Sequence, residues 1–228
     1  MITIKSALQS SVGKKLLMAL TGIALVLFVI MHLLGNLALY LPDGSAFNLY
    51  AETLQSLGKL LILAEVGLVG AFGLHILLGF VVTASNKSAR PIGYSMSETK
   101  GGPSKSNIAS KNMIITGMVL GAFLVFHIWQ FKFGPGIEAG YTTQVHGKEV
   151  RDLHRLVVET FKQPIYVAIY CFVMALLGMH LRHGFWSAFQ SLGVNNPRIS
   201  KPIYGLAWLI AVLVGAGFFF IPVWIFIR

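Results

Sequence analysis

The sequence predicts an all-α membrane protein, a bundle of five transmembrane helices that forms a single domain over residues 1–228. Hydrophobic residues make up 55% of the chain and charged residues only 11%, a composition typical of polytopic membrane proteins. Five apolar runs each approach or exceed the ~20 residues that an α-helix needs to cross a bilayer. The runs are Leu16–Leu41, Leu60–Ala84, Met113–Phe131, Ile165–Phe189 and Ile203–Ile227.

Net charge gives these helices a direction. With five spans, the segment before the first run and the loops after the second and fourth runs lie on the same side of the membrane as the N-terminus. Together with Arg182 at their edge, these segments contain 11 basic residues and a single acid, Glu98. The other side contains seven of each and is neutral. The positive-inside rule therefore places the N-terminus in the cytoplasm and the C-terminus outside, as in a bacterial inner membrane. The net charge of +10 is thus a topology signal, and we expect no nucleic-acid partner.

The connecting segments follow from turn chemistry. Pro42-Asp43-Gly44-Ser45 ends the first helix, and residues 46–58 have apolar positions at roughly helical spacing. The outer loop, 132–163, is the longest, and Pro164 suits the first turn of the fourth helix. The inner loop 85–112 is rich in Ser, Gly, Pro and Lys, and we expect it to pack on a soluble partner or to be solvated.

The fourth run is interrupted by polar side chains. Between Gly178 and Trp186 it contains His180, Arg182 and His183. A charge at membrane depth costs several kcal/mol by most estimates, so such groups usually face a partner, a cofactor or water.

Histidines occur in each of the first four helices, at two depths. At 1.5 Å per residue, His32 and His127 lie roughly 24 Å and 22 Å from the inner ends of their helices. His75 and His180 each lie roughly 15 Å from theirs. The sequence therefore predicts an outer pair, His32 with His127, and an inner pair, His75 with His180.

Each pair offers two imidazoles from different helices, the axial ligand set of a six-coordinate haem. A zinc site would usually require three or four ligands at one level. The lone Cys171 cannot by itself support an iron–sulfur cluster. We therefore predict two haems, hence an electron path across the bilayer that meets a membrane quinone.

Several nearby residues have two interpretations. Arg182 and His183 are candidate neighbours of the haem propionates, although Arg182 also suits a membrane anchor. Glu65, the only acid within a span, is a candidate for proton exchange with quinone or an ordinary interfacial acid. Small residues would let a flat macrocycle approach, or would serve close helix packing; they are Gly22, Gly35, Gly73, Gly79, Gly121, Gly178 and Gly184.

Five helices with histidines on the first four resemble the dihaem cytochrome b558 subunit of succinate:menaquinone oxidoreductases and fumarate reductases. The strings Phe126-His127-Ile128-Trp129 and Gly184-Phe185-Trp186 after His180 agree with this family, and the resemblance covers essentially the whole chain. It implies a membrane anchor of succinate dehydrogenase or fumarate reductase with two haems b and menaquinone as substrate.

The same resemblance implies two cytoplasmic partners, a flavoprotein with FAD and the dicarboxylate site, and an iron–sulfur protein. His75 and His180 would then bind the inner haem, and His32 and His127 the outer one. It also allows a higher oligomer. Some family members have a glutamate near the ligand on the fourth helix, whereas this helix has no acid, so we expect no proton pathway of that kind.

Two other functions compete with this interpretation. A dihaem cytochrome b of a hydrogenase or formate dehydrogenase would have the same haems but different soluble subunits. A transporter could use membrane histidines for metal ions or protons, but such proteins often contain paired repeats and broken helices. We find no internal repeat in the sequence.

Overall fold

Five long α-helices and two short ones build the described part of the protein. The computed structural model describes residues 6, 9–89, 112–194 and 196–228. The five predicted spans are confirmed as helices long and apolar enough to cross a membrane. They are α1 (Ser11–Asn36, continued by a 3-10 turn at Leu37–Tyr40), α3 (Lys59–Ser88), α4 (Met113–His127, continued by a π-helix at Ile128–Lys132), α6 (Pro164–Ser191) and α7 (Pro197–Ile227). Of the inner loop 85–112, for which we expect a soluble partner or solvation, residues 90–111 lie outside the described residues.

Local capping explains where these helices begin. The Ser10 hydroxyl accepts a hydrogen bond from Gly13 N at 3.0 Å at the start of α1, and Pro164 occupies the first turn of α6 as predicted. Helix α7 begins six residues before the predicted Ile203. The reason is that the Asn196 side chain accepts a hydrogen bond from Arg198 N, and Pro197 opens the helix without losing a backbone donor.

The longest loop contains structure that the sequence did not predict. A two-stranded antiparallel hairpin, β1 (Thr142–Val145) with β2 (Lys148–Arg151), is followed by the short helix α5 (Leu153–Phe161). The two-residue turn has positive φ at both His146 (51°) and Gly147 (75°), as type I′ hairpins require. The predicted helical segment after the first span is confirmed as α2 (Ser45–Ser56).

Helices α2 and α5 and the hairpin form a cap at one end of the bundle. We call this end the cap side and the opposite end, where α1 begins, the basic side. The buried Asn48 joins the cap elements, because its Nδ2 donates to Asp152 Oδ1 at 2.8 Å and its Oδ1 accepts from His154 N at 2.9 Å. The Arg151 guanidinium donates to three carbonyl oxygens at the cap-side end of α4, those of Lys132, Gly134 and Pro135.

The order of packing determines which helices face each other across the bundle. Helix α1 packs against α3 and α6, and α4 packs against the same two helices. Helices α1 and α4 therefore form one diagonal of a four-helix arrangement, and α3 and α6 form the other. Helix α7 lies outside this arrangement and packs mainly against α6, as predicted for the flanking fifth helix.

Small residues bring α6 and α7 together. A Cβ atom at Gly215 would lie 3.2 Å from Gly178 Cα, so the two backbones are almost in contact. Ala207 is fully buried on the same stripe of α7, and Ala211 is 5% exposed. Because lipid is as apolar as a leucine side chain, such close packing is what holds membrane helices together.

We predict that Gly215→Val destabilises the protein while Gly205→Val on the same helix does not. A Cβ at Gly205 would meet no atom within 4 Å, whereas overpacking at Gly215 should cost about 1–3 kcal/mol. Thermal unfolding in detergent measures the difference. Equal melting temperatures for the two variants would contradict this account of the α6–α7 contact.

Candidate functional site

The predicted outer pair of histidines meets across the first diagonal. The imidazoles of His32 on α1 and His127 on α4 have ring centroids 5.8 Å apart at an interplanar angle of 87°. Metal–imidazole bonds of about 2 Å on both sides of one ion would place two such centroids about 6 Å apart. The spacing would therefore allow His32 and His127 to hold one metal ion between them.

Aromatic rings surround this pair. Phe28 stacks on His32 with centroids 5.6 Å apart, and Phe218 of α7 lies at the same distance from His32 on a tilted plane. Phe123 stacks on His127 at 5.7 Å, and Phe131 meets the same imidazole edge-on at 5.3 Å. His32 and His127, which we call the cap-side pair, thus lie in an apolar, aromatic environment; His75 and His180 are the basic-side pair.

A chain of hydrogen bonds orients His127. Its Nδ1 lies 3.2 Å from the Tyr170 hydroxyl, and that hydroxyl donates to Gln130 Oε1 at 2.7 Å. Because a phenol has only one hydrogen to donate, Tyr170 accepts from His127. Nδ1 must then carry the proton, and Nε2 keeps its lone pair for a metal.

The same arrangement occurs twice at the predicted inner pair. His75 Nδ1 lies 3.2 Å from Thr21 Oγ1 on α1, and His180 Nδ1 lies 3.0 Å from Thr116 Oγ1 on α4. Each threonine hydroxyl donates to carbonyls of its own helix, such as Leu17 O at 2.8 Å for Thr21. This arrangement favours donation by each histidine through Nδ1, which leaves its Nε2 free to bind a metal.

Glycines beside the two threonines make room for the imidazoles. A Cβ atom at Gly22 would lie 3.3 Å from His75 Cε1, and one at Gly117 would lie 3.5 Å from His180 Cε1. Gly22 therefore makes room for the imidazole of a neighbouring helix, and the approach of a macrocycle to it stays a prediction. Gly35 and Gly178 serve packing instead, against Tyr50 and α7 respectively.

These contacts reveal an internal repeat, and our expectation of none was wrong. Helices α1 and α4 share a Thr-Gly pair with a histidine 11 residues after the threonine, and α3 and α6 share a histidine flanked by glycines at −2 and +4. The repeated sets are Thr21-Gly22 with His32, Thr116-Gly117 with His127, Gly73-His75-Gly79 and Gly178-His180-Gly184. Threonine–glycine spacing was the signal that the sequence offered for Thr21 and Thr116, which the sequence analysis missed.

Two diagonals thus each supply imidazoles from opposite helices, α1 with α4 and α3 with α6. Among the described residues, no three His, Cys, Asp or Glu side chains form a group that could bind one metal ion.

The structure brings Glu65 to a different partner. Its carboxylate forms an ion pair with Lys132 at the end of the π-helix, and so connects the cap-side ends of α3 and α4. The two side chains are 40% and 46% exposed. An exposed pair of this kind contributes about 1 kcal/mol or less to stability.

Arg182 faces the fifth helix rather than the histidines. Its guanidinium carbon lies 4.0 Å from the centroid of the Trp208 ring, and Nη2 donates to the Tyr204 hydroxyl at 2.9 Å. His183 is half-buried one turn along α6 from His180. The role of these two residues as neighbours of propionates stays a prediction.

A pocket of about 350 Å³ opens on the cap side, next to the hydrogen-bond chain of His127. Gln130, which accepts from Tyr170, lines this pocket together with Trp129, Tyr141 and Glu159. The adjoining π-helix is a feature that often marks functional sites. Trp129 is 65% exposed, so the pocket lies at a lipid-accessible edge of the protein.

Hydrogen bonds shift the pKa values of two residues that line this pocket, Tyr141 and Glu159. The Tyr141 hydroxyl and the Arg155 guanidinium both donate to Glu159, and these bonds hold the pKa of the Glu159 carboxyl below its usual value. The bond to Glu159 raises the pKa of Tyr141. Because the pKa of Glu159 is depressed, its ion pair is present at neutral pH and is lost as the pH falls through that pKa.

No protein-family model, curated protein or solved structure matches the chain. The chemistry of the site is therefore inferred from its own geometry. That geometry consists of two diagonal histidine pairs, three hydrogen bonds between an imidazole Nδ1 and a hydroxyl, and a polar pocket beside one pair.

Proposed function

We propose that the chain is the membrane-anchor cytochrome b subunit of a succinate:menaquinone oxidoreductase or fumarate reductase. In this proposal His32 and His127 bind one haem b, and His75 and His180 bind a second. The observation that carries it is the set of hydrogen bonds at Nδ1 of three histidines, since each leaves an Nε2 lone pair for iron. When bound, such haems supply one-electron redox chemistry within the bilayer.

The surrounding residues have distinct tasks in this scheme. Thr21 and Thr116 fix the tautomers of the basic-side ligands, and Tyr170 does the same for His127. Burial among aromatic rings keeps water away from the cap-side pair and contributes to its redox potential. Two sites at different depths provide a route for electrons from one membrane surface to the other.

The charge asymmetry supports an orientation. We place the basic side in the bacterial cytoplasm, where the resemblance puts a flavoprotein with FAD and an iron–sulfur protein. These partners would exchange electrons with the basic-side haem. The N-terminus is then cytoplasmic, and the cap and C-terminus are outside.

Two other functions remain candidates. A dihaem cytochrome of a hydrogenase or formate dehydrogenase would use the same ligands and differ in its soluble partners. The paired hairpins α1–α3 and α4–α6 favour a transporter more than the sequence did, because many transporters are built from repeats. A transporter would show no b-type absorption, so a visible spectrum separates it from both cytochromes.

We predict that His180→Ala loses one haem of two, whereas His183→Ala retains both. The Nε2 of His180 is free for iron because Thr116 engages Nδ1, while His183 lies one turn away. Haem content per chain, measured from the pyridine haemochrome, gives the answer. Retention of both haems in His180→Ala together with loss of one in His183→Ala would show that the ligand is misassigned.

A second prediction separates the two haems. Thr116→Val removes the acceptor of His180 Nδ1 and should weaken only the basic-side haem, by about 10–100-fold in affinity. Tyr170→Phe removes the acceptor of His127 Nδ1 and should affect only the cap-side haem. Redox titration and haem loss in the two variants test this, with Thr53→Val on α2 as a control. If each variant affected both haems, the Thr116 and Tyr170 hydroxyls would not act on separate haem sites.

We place the quinone in the cap-side pocket rather than at Glu65. The pocket adjoins the Gln130–Tyr170–His127 chain, and its lining includes the phenol of Tyr141 and the carboxylate of Glu159. Its opening beside the exposed Trp129 suits a lipid-soluble substrate. Glu159 lines this pocket and Glu65 does not, which makes Glu65 the alternative.

Quinone turnover should distinguish the two acids. Glu159→Gln should lower the rate with a menaquinone analogue, on the order of 100-fold if the carboxylate transfers protons. Glu65→Gln should stay within about twofold, because only an exposed ion pair is lost. The reverse pattern would restore Glu65 as the proton-exchanging residue.

A further inference from the structure

A groove of about 330 Å³ runs between α6 and α7, on the side of α6 that faces the fifth helix. The close approach of Gly178 and Gly215 forms part of its lining, and so do the phenylalanines 219 and 220. From Trp208 to Phe219 the groove extends along α7 for about 16 Å. These dimensions and this apolar lining suit a length of hydrocarbon chain.

The cation Arg182 lies at the basic-side end of this groove. One nitrogen, Nη2, donates to Tyr204, and the guanidinium lies over the Trp208 ring. Its Nε, however, is buried and has no hydrogen-bond partner among the described residues. A buried charged donor without an acceptor is unfavourable, so the guanidinium is incompletely satisfied, and an anion would supply both an acceptor and the opposite charge.

The described part of the chain supplies no such anion on this side. All seven acids in it belong to the cap side, and Glu98 lies outside the described residues. Arg182, Tyr204 and Trp208 contact one another in the basic-side half of the α6–α7 pair, a combination of basic and aromatic residues that is common where proteins meet lipid headgroups. An acceptor for Arg182 must come from outside the described residues, and in a lipid-facing groove the membrane supplies one as a headgroup phosphate.

We propose that this groove binds an anionic phospholipid, with its phosphate on Arg182 and one acyl chain against the glycine contact of α6 and α7. The lipid would cover the seam between α7 and the four-helix arrangement. This site is separate from the histidine pairs and does not depend on their function.

Two pairs of variants test the headgroup and the chain separately. Arg182→Gln removes the cation, and Lys201→Gln removes an exposed lysine on the same side as its control. Val212→Trp fills the groove, and Leu213→Trp adds the same bulk to a neighbour that does not line it. Val212 and Leu213 are 53% and 59% exposed, so both should tolerate the larger side chain.

The full protein, purified with its co-purifying subunits from membranes that contain phosphatidylglycerol, is analysed for bound phospholipid by mass spectrometry. We expect Arg182→Gln to lower bound phosphatidylglycerol about fivefold and Val212→Trp to remove it, with both controls unchanged. Equal lipid content in Val212→Trp and Leu213→Trp would overturn the proposal, even if Arg182→Gln failed to fold. Displacement of a phosphate-free molecule such as a quinone by Val212→Trp would overturn it as well.

Discussion

A hydrogen bond from an imidazole Nδ1 to a hydroxyl that has already donated its own proton is the interaction on which this site depends. In the bilayer a histidine N–H must find an acceptor within the protein. Thr21 and Thr116 provide one, because their hydroxyl protons are donated to backbone carbonyls one turn earlier. This hydrogen bond satisfies the imidazole N–H. It also sets the tautomer of the histidine, and so leaves the Nε2 lone pair available to a metal.

The repeat of this device explains the architecture around it. The chain contains two helical hairpins, α1 with α3 and α4 with α6. In each helical hairpin, a Thr-Gly pair on the first helix lies against the histidine of the second helix. The first helix of each hairpin then carries its own histidine 11 residues later, about 16 Å further along the axis. Two such hairpins packed side by side produce one imidazole pair on each diagonal, at two depths.

Hydropathy and charge were enough to predict five helices, their order and the two levels of histidines. They could not predict which helix Arg182 faces. The lipid-facing and core-facing sides of a membrane helix are both apolar, so hydropathy does not determine how the helix is rotated about its axis. The hairpin at Thr142–Arg151 was missed since its four-residue strands are polar and short. The hydroxyl acceptors were missed although Thr21 and Thr116 precede their glycines in the same way, because the contact joins separate helices.

The most direct test of the histidine pairs is a redox titration of the purified chain, followed in the α-band of its visible spectrum. Two low-spin b-type components, present at two haems per chain, are the result that two imidazole pairs require. A chain without a b-type band would contradict the assignment of His32, His75, His127 and His180. So would a chain with one haem that is retained both when His32 and His127 are replaced and when His75 and His180 are replaced.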